Sequence, residues 1–431
     1  MINTANISIE NAPPIHIPFR FILTAPLFGL VFSLLLLFSG AELISSRWNP
    51  GMIGALHLVN IGMLMMVVIG VLFQILPVLG GVHFKWQGTI SRVIYLSLTV
   101  GVLFYSVGFF FSESSLLFIS FIVLTVGLLP YILLLLYALF MVDNPPETIY
   151  LFRYPALFLL LLVVVGVVLL ITPGIGRVTL FPLTDIHAVW AFGGWFTLLL
   201  MGISFQMIPM FQVTPDFPGW IKKLVIPFVA VMLLLWGVVR MAGFSGLEAD
   251  IFLLLAAGAM VAFGVSGLLI IARRKRKIFD ATVYFWQFSF ISLIIGSSML
   301  IYSLLFSGKI PGWLALFWIF CFLLPMVSGM LIKITPFLVF LHLQQKVIKD
   351  PQQMKNLANI PNIFQILPTQ SARILLMLFS LSVVAWGGAL LFPAAIHIVG
   401  LVLAIFFGWM FWTVFNCYKT YWVKLTEFGI A

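Results

Sequence analysis

The chain has 431 residues, of which 63% are apolar and only 8% charged, and its formal net charge is +10. A soluble globular domain is excluded, because most of its surface would be one continuous apolar patch. The basic excess is not that of a nucleic-acid-binding protein, since the charges lie between apolar runs and not on a soluble surface. The composition predicts an all-α polytopic membrane protein whose main partner is the lipid bilayer, with no nucleic-acid partner.

Twelve apolar segments follow one another, each long enough to cross a hydrocarbon core of about 30 Å as a helix. We predict membrane spans at 19–43, 52–79, 90–112, 115–142, 150–172, 185–211, 220–243, 247–273, 281–306, 311–343, 371–393 and 394–422. The polar segment 1–18 lacks the layout of a cleaved signal peptide and is predicted to be cytoplasmic. The longest connection, 344–370, is rich in Gln, Asn and Pro, which indicates a surface loop and not a second domain.

The basic residues are distributed unevenly between the two sides of the predicted membrane. Seventeen of the 22 Lys and Arg residues fall in segments on the side of the N-terminus, and four fall on the other side. This bias predicts a multi-pass protein of the cell inner (cytoplasmic) membrane with both termini in the cytoplasm. The densest cluster, Arg273–Lys277, is predicted to be a topology anchor, with binding of anionic lipid as the alternative.

One pattern recurs in spans 2, 6 and 10. The first two copies run from a histidine to a Gly-x-x-Phe-Gln-x-x-Pro ending, and the third keeps the Gly and Pro spacing with Lys in place of Gln. The three prolines, Pro77, Pro209 and Pro336, are 132 and 127 residues apart, close to a third of the chain. We therefore predict three four-helix repeats, at 19–143, 144–280 and 281–431. The prolines are expected to kink or end their helices.

Three histidines are predicted to lie at one depth, near the outer ends of spans 2, 6 and 12: His57, His187 and His397. Each could be a neutral imidazole bonded to a backbone carbonyl, but imidazole is also the commonest metal ligand, and together the three favour a haem or metal site. His57 precedes Gly70 by 13 residues and His187 precedes Gly202 by 15. That difference turns the two rings toward nearly opposite faces unless a bulge intervenes.

Other residues fit a haem site without requiring one. Glycines of spans 2 and 6 remove side chains where a flat macrocycle could lie, although small residues equally let helices pack closely. The three outer arginines, Arg47, Arg177 and Arg240, suit the propionate groups of a haem, and ordinary anchoring at the interface explains them equally well.

A second polar layer lies deeper, at Gln74, Gln206 and Lys333. If span 10 ends near Pro336 and not at 343, the side chain of Lys333 reaches the inner interface, which is the favoured interpretation; the alternative is a buried role together with the two glutamines. His342, at the predicted inner end of span 10, is expected to be solvated or interfacial. The layer supports a cofactor-free transporter with a substrate or anion site near the inner face.

Twelve spans, a period of four helices, cytoplasmic termini and a histidine on the outer part of span 2 resemble the catalytic subunit of the haem–copper oxidases. The resemblance implies three arcs of four helices about a pseudo-threefold axis. It also implies a haem ligand at His57, a copper ligand at His187, and His397 facing the same pore as His57. Span 7 lacks the histidine pair of that family, and Trp313, Leu316 and Trp318 stand where span 10 would carry His-x-His.

The tyrosine cross-link motif is also missing from span 6, so an oxygen-reducing centre is not expected. In outline the chain looks more like the NnrS family of haem- and copper-containing proteins of nitric-oxide stress. The first functional hypothesis is therefore a haem- or copper-binding membrane protein acting in nitrosative stress, metal handling or redox sensing, with a redox or respiratory-complex partner. The alternatives are the cofactor-free transporter and an assembly partner of a respiratory complex.

Overall fold

A computed structural model describes residues 9–82, 85–171 and 177–430, with the side chains of residue 9 and residues 177–181 left out of the description. Twelve helices among these residues are long and apolar enough to cross a membrane. We label them α1 to α12: His16–Glu42, Pro50–Gly80, Gln87–Phe111, Ser114–Phe140, Glu147–Ile171, Pro182–Gln212, Ile221–Met241, Leu247–Ala272, Ala281–Ser307, Trp313–Lys349, Thr369–Leu391 and Pro393–Phe428. The described residues contain no strand, so the prediction of an all-α polytopic membrane protein is confirmed.

The predicted bounds agree with the helices to within three residues, except at two ends. Helices α10 and α12 each continue six residues beyond the predicted end, to Lys349 and Phe428. Pro336 lies inside α10, and the helix runs on for 13 residues after it. Of the two expectations for this proline, a kink or a helix end, the helix end is therefore wrong. At Pro77 and Pro209 the helices end three residues later, at Gly80 and Gln212.

Helices α2, α6 and α10 are set apart by their burial. In the most apolar part of each, 78–89% of the residues are buried, against 22–50% in the other nine spans of the described chain. Each also contains a π-helical segment, Leu58–Met65, Trp190–Thr197 and Trp318–Leu323. These segments begin 19, 19 and 18 residues before the repeated prolines. The shared local geometry agrees with the predicted repeat, whose three-part arrangement stays a prediction.

Glycines of α2 and α6 make room for phenylalanine rings on the helix that precedes each of them, α1 and α5 respectively. A Cβ at Gly62 would lie 2.5 Å from the ring of Phe28 on α1. A Cβ at Gly194, 132 residues later, would lie 2.3 Å from the ring of Phe158 on α5. Of the two explanations that the sequence left open at these glycines, close helix packing is confirmed, and aromatic rings occupy the space considered for a macrocycle.

The described residues form two compact units. Unit 1 comprises residues 128–279 and 283–326, and unit 2 comprises residues 9–127, 280–282 and 327–430. In unit 2, α1 packs closely along α12, because Gly29 faces the ring of Phe407 and Gly400 faces the backbone of Leu37. In unit 1, α7 packs against α8, and α5 against the π segment of α6.

Candidate functional site

The least expected feature of the structure is a lysine buried inside α10. Lys333 lies sixteen residues before the end of the helix at Lys349, and only 4% of its surface is exposed. The favoured prediction, that its side chain reaches the interface, is wrong because the helix does not end near Pro336. A charged side chain within an apolar helix costs free energy unless it is paired, so its partner decides what the position can do.

That partner is Asp280, the residue immediately before α9. The Nζ atom of Lys333 lies 2.6 Å from Oδ2 of Asp280, and both side chains are almost completely buried, at 5% and 6% exposure. The other carboxylate oxygen, Oδ1, accepts a hydrogen bond of 3.1 Å from the backbone amide of Thr282. Asp280 thus caps the first turn of α9 while it neutralises Lys333, and the positive end of the helix stabilises its charge.

The predicted surface loop 344–370 contributes to this site. It contains the short helix Ile363–Ile366, which begins with a capping box in which Asn362 and Gln365 bond to each other's backbone amides. The ring centroid of Phe364 in that helix lies 5.2 Å from the ammonium of Lys333, a cation–π distance. Ile366 is buried, and its carbonyl lies 3.6 Å from the thiol of Cys417 on α12. Part of the loop is therefore folded onto unit 2, where the sequence indicated only a surface connection.

Unit 2 also buries uncharged polar groups that lack partners. The side chain of Gln74 is 4% exposed, and neither atom of its amide has a hydrogen-bond partner among the described residues. Thr282 and Thr335 each lie two residues from a member of the ion pair. Their hydroxyls are also buried without a hydrogen-bond partner among the described residues. Gln206 is half-buried and belongs to unit 1. Unsatisfied buried polar groups are rare in folded proteins, so this part of unit 2 is a candidate site.

The three predicted ligand histidines have different surroundings. In unit 2, Nδ1 of His57 donates a 2.8 Å hydrogen bond to the carbonyl of Ile53, and the imidazole packs on the ring of Tyr105 with centroids 4.5 Å apart. His187, in unit 1, lies against α5, where a Cβ on Gly166 would be 3.1 Å from its Cε1. The π segments begin at equivalent positions in α2 and α6, so they do not remove the two-residue offset that separates these histidines.

His397 is exposed at the start of α12 and lies against the end of α1. Its Nδ1 donates a 2.6 Å hydrogen bond to the carbonyl of Leu37. Its Cε1–Nε2 edge packs on Gly40, where a Cβ would be 2.6 Å from either atom. The positive φ of 61° at Gly40 independently favours glycine at this position. Within the described residues, no three His, Cys, Asp or Glu side chains are close enough together to hold a metal ion.

The three outer arginines are not equivalent either. Arg47 is exposed, with its guanidinium 5.0 Å from the ring of Trp48. Arg240, at the end of α7, acts electrostatically on Asp250 of α8. The side chain of Arg177 lies outside the described residues.

His342 differs from its expected solvated position. It is 4% exposed, and each ring nitrogen lies within hydrogen-bond distance of a carbonyl: Nδ1 at 2.8 Å from Leu338 and Nε2 at 2.9 Å from Pro13. The expectation fails because α10 continues past this residue and the segment before α1 folds over it. His342 therefore fastens the start of the described chain to α10.

Asp280 is the member of the candidate site that the sequence analysis missed. The sequence carried a signal for it, because an aspartate directly before a long apolar segment is a typical helix N-cap. The sequence predicted only a topology anchor or a lipid-binding site at the neighbouring cluster Arg273–Lys277, and no role for Asp280. The comparisons with known proteins add no further assignment: no family model and no curated protein matches the chain.

Proposed function

We propose that the protein transports a small anion across the membrane, with Lys333 as the positive group that binds it. The observation that carries the proposal is the 2.6 Å pair between Lys333 and Asp280, buried in a protein whose described residues form twelve apolar helices. Ionisable groups buried within membrane helices are expensive, and they commonly mark the path of an ion or a substrate. This proposal develops the transporter alternative from the sequence.

We propose an anion because the carboxylate of Asp280 and the ammonium of Lys333 have different stabilising contacts. The carboxylate of Asp280 also accepts the amide of Thr282 at the positive end of α9, so it keeps a stabilising environment when Lys333 turns away. The ammonium of Lys333 is a compact charge on a flexible side chain with three hydrogen-bond donors. Asp280 pairs with this ammonium through Oδ2, and a solute with a carboxylate-like charge competes with it for the ammonium.

The short helix Ile363–Ile366 supplies a means of access. Phe364 covers the ammonium with its ring, and the helix that carries it is only four residues long. A helix of this length is only marginally stable on its own. Displacing it therefore costs less free energy than opening a membrane span. In the proposed cycle, movement of this segment exposes Lys333 to the solute.

Flux measurements on the purified chain in proteoliposomes test the proposal. The wild type is loaded with chloride, nitrate, acetate or phosphate, and release is compared with that of sodium and potassium. We expect release of at least one anion that Lys333→Gln abolishes. Lys346→Gln, which removes an exposed charge from the same helix, should retain the flux. Asp280→Asn removes the internal competitor, so the anion concentration at half-maximal flux should fall. Absence of anion flux in the wild type, or equal flux in Lys333→Gln, would refute the proposal.

A second candidate is the haem protein suggested by the resemblance, with His57 as an axial ligand and a role in nitrosative stress, metal handling or redox sensing through a redox partner. One observation favours it. Because the Ile53 carbonyl can only accept a hydrogen bond, Nδ1 of His57 carries the proton and Nε2 carries the lone pair. Histidines that bind metals typically donate their other nitrogen in this way. The packing of His397 on Gly40 does not favour that residue as the second ligand.

Optical spectra decide on this candidate. A reduced-minus-oxidised difference spectrum of the purified chain should show a haem band that His57→Ala removes and His397→Ala leaves unchanged. Metal analysis of the same preparation tests for copper. A spectrum without a haem band contradicts the candidate and leaves the transport proposal untouched.

We also propose that both termini lie on the cytoplasmic side of the inner membrane, on the strength of the distribution of basic residues. Single cysteines at Lys309 and Lys355 should react with an impermeant maleimide from opposite sides in a chain whose two native cysteines are replaced. Labelling of Lys355→Cys from outside intact cells would contradict this orientation.

A further inference from the structure

A cationic segment, Arg273–Lys277, follows α8 in unit 1 and is fixed to the neighbouring loop. The backbone amide of Lys275 donates a 3.1 Å hydrogen bond to the carbonyl of Val213, just after the end of α6. The first turn of α7, Ile221–Val225, packs against α8. The cluster is therefore held against folded structure at one end of unit 1.

Two members of the cluster are less exposed than the rest. Arg273, Lys275 and Lys277 are exposed, Arg276 is half-buried, and so is Arg274, whose environment is unusual. Its Nη1 atom is withdrawn from solvent and has no hydrogen-bond partner among the described residues. A guanidinium nitrogen that loses water without gaining an acceptor is unfavourable, so the position calls for an anionic group from outside the chain.

Two acidic side chains of unit 1 are already engaged with a lysine. Glu147 and Asp216 lie 3.1 and 3.9 Å from the ammonium of Lys222. The end of α8 offers carbonyl groups with partial negative charge, but Nη1 of Arg274 donates to none of them. Neither the acidic side chains nor the carbonyl groups accept a hydrogen bond from Nη1 of Arg274.

We propose that Arg274 and its cationic neighbours bind the phosphate of an anionic phospholipid. A guanidinium suits a phosphate because its donors match two oxygens at once. Exposed apolar side chains are available for the glycerol and upper acyl chain: Ile278, 52% exposed, directly follows the segment, and Trp220, 56% exposed, directly precedes the first turn of α7 that packs against α8. The segment also lies on the side of the membrane that the charge distribution predicts to be cytoplasmic, where anionic lipids attract basic residues.

Native mass spectrometry of the full chain in detergent tests the site, with phosphatidylglycerol and phosphatidylcholine titrated separately. We expect one phosphatidylglycerol to be retained in preference to phosphatidylcholine, and Arg274→Gln to weaken its binding about five- to ten-fold. Arg273→Gln is the matched control, since it removes the same charge from an exposed neighbour, and its effect should be clearly smaller. Arg274→Lys should restore only part of the affinity, because an ammonium cannot pair with two oxygens simultaneously.

Three results would overturn the inference. Equal retention of the two lipids shows that the headgroup charge is not recognised. Equal losses in the Arg274 and Arg273 variants show a diffuse electrostatic effect. Displacement of the lipid by millimolar inorganic phosphate, with no contribution from the acyl chains, shows a phosphate site and not a lipid site. An unchanged melting temperature in both variants verifies that the comparison concerns folded protein.

Discussion

The pair between Lys333 and Asp280 gives a quantitative prediction about stability. At 2.6 Å and an effective dielectric constant of about 20, two unit charges attract each other by about 6 kcal/mol. Removing each ion from water costs several kcal/mol, so the intact pair contributes little net stability. Lys333→Met or Asp280→Asn alone leaves one buried charge uncompensated, and each should lower the free energy of unfolding by about 3–5 kcal/mol.

The double variant should be much more stable than the two single changes imply. With both charges absent, neither position holds a buried ion, and we expect a free energy of unfolding within about 2 kcal/mol of the wild type. The coupling energy between the two positions is then at least about 4 kcal/mol, well above that of an exposed pair. The same double variant should have lost anion flux, which separates the role in transport from the role in folding.

Unfolding by sodium dodecyl sulfate in mixed micelles, followed through the 13 tryptophans, measures these differences. Lys346→Met, with Lys346 exposed on the same helix, controls for the loss of a surface charge and should change stability by less than about 0.5 kcal/mol. Single variants as stable as the wild type, or a double variant whose loss equals the sum of the two, would show that the side chains act independently. The ion-pair argument would then be wrong.

The packing and the capping contacts lead to further predictions. Gly62→Ala should cost about 1–3 kcal/mol, because its methyl group meets a phenylalanine ring at 2.5 Å. Gly258→Ala, at an uncrowded helical position, should stabilise by about 0.5–1 kcal/mol; equal shifts in the same titration would contradict the packing. Asn362→Ala removes the capping box and should cost about 1 kcal/mol locally, seen as faster hydrogen exchange in residues 363–367 and nowhere in α11. His342→Phe removes the bond to Pro13, so exchange and proteolysis should increase before α1; unchanged protection there would show that this contact does not hold the segment.

The membrane spans could be predicted because hydrocarbon thickness and apolar run length leave few solutions. The recurring glycines were also visible in the sequence, although their purpose was not. Only coordinates show that Phe28 fills the space beside Gly62, since the sequence does not reveal which side chain of a neighbouring helix lies opposite a glycine. The continuation of α10 past Pro336 was equally hidden, because a proline in a membrane helix either ends it or is accommodated by its neighbours.

The ion pair between Lys333 and Asp280 was also not predicted from the sequence. The proposed repeat suggests why the pair occurs only once among the described residues. Lys333 stands three residues before the repeated proline, where the earlier copies have Gln74 and Gln206. Asp280 lies directly before α9, the first helix of the third predicted repeat. The residues directly before the first helices of the other two repeats, α1 and α5, are the uncharged Ile15 and Pro146. Lys333 thus lies in the third predicted repeat and Asp280 directly before it, whereas the corresponding positions earlier in the chain are uncharged. Either charge alone would be an uncompensated ion inside an apolar protein, so each is tolerated only with the other. The two earlier repeats have uncharged residues at the corresponding positions, so stability alone does not require a charged pair there. For this reason we propose that the pair binds a charged solute.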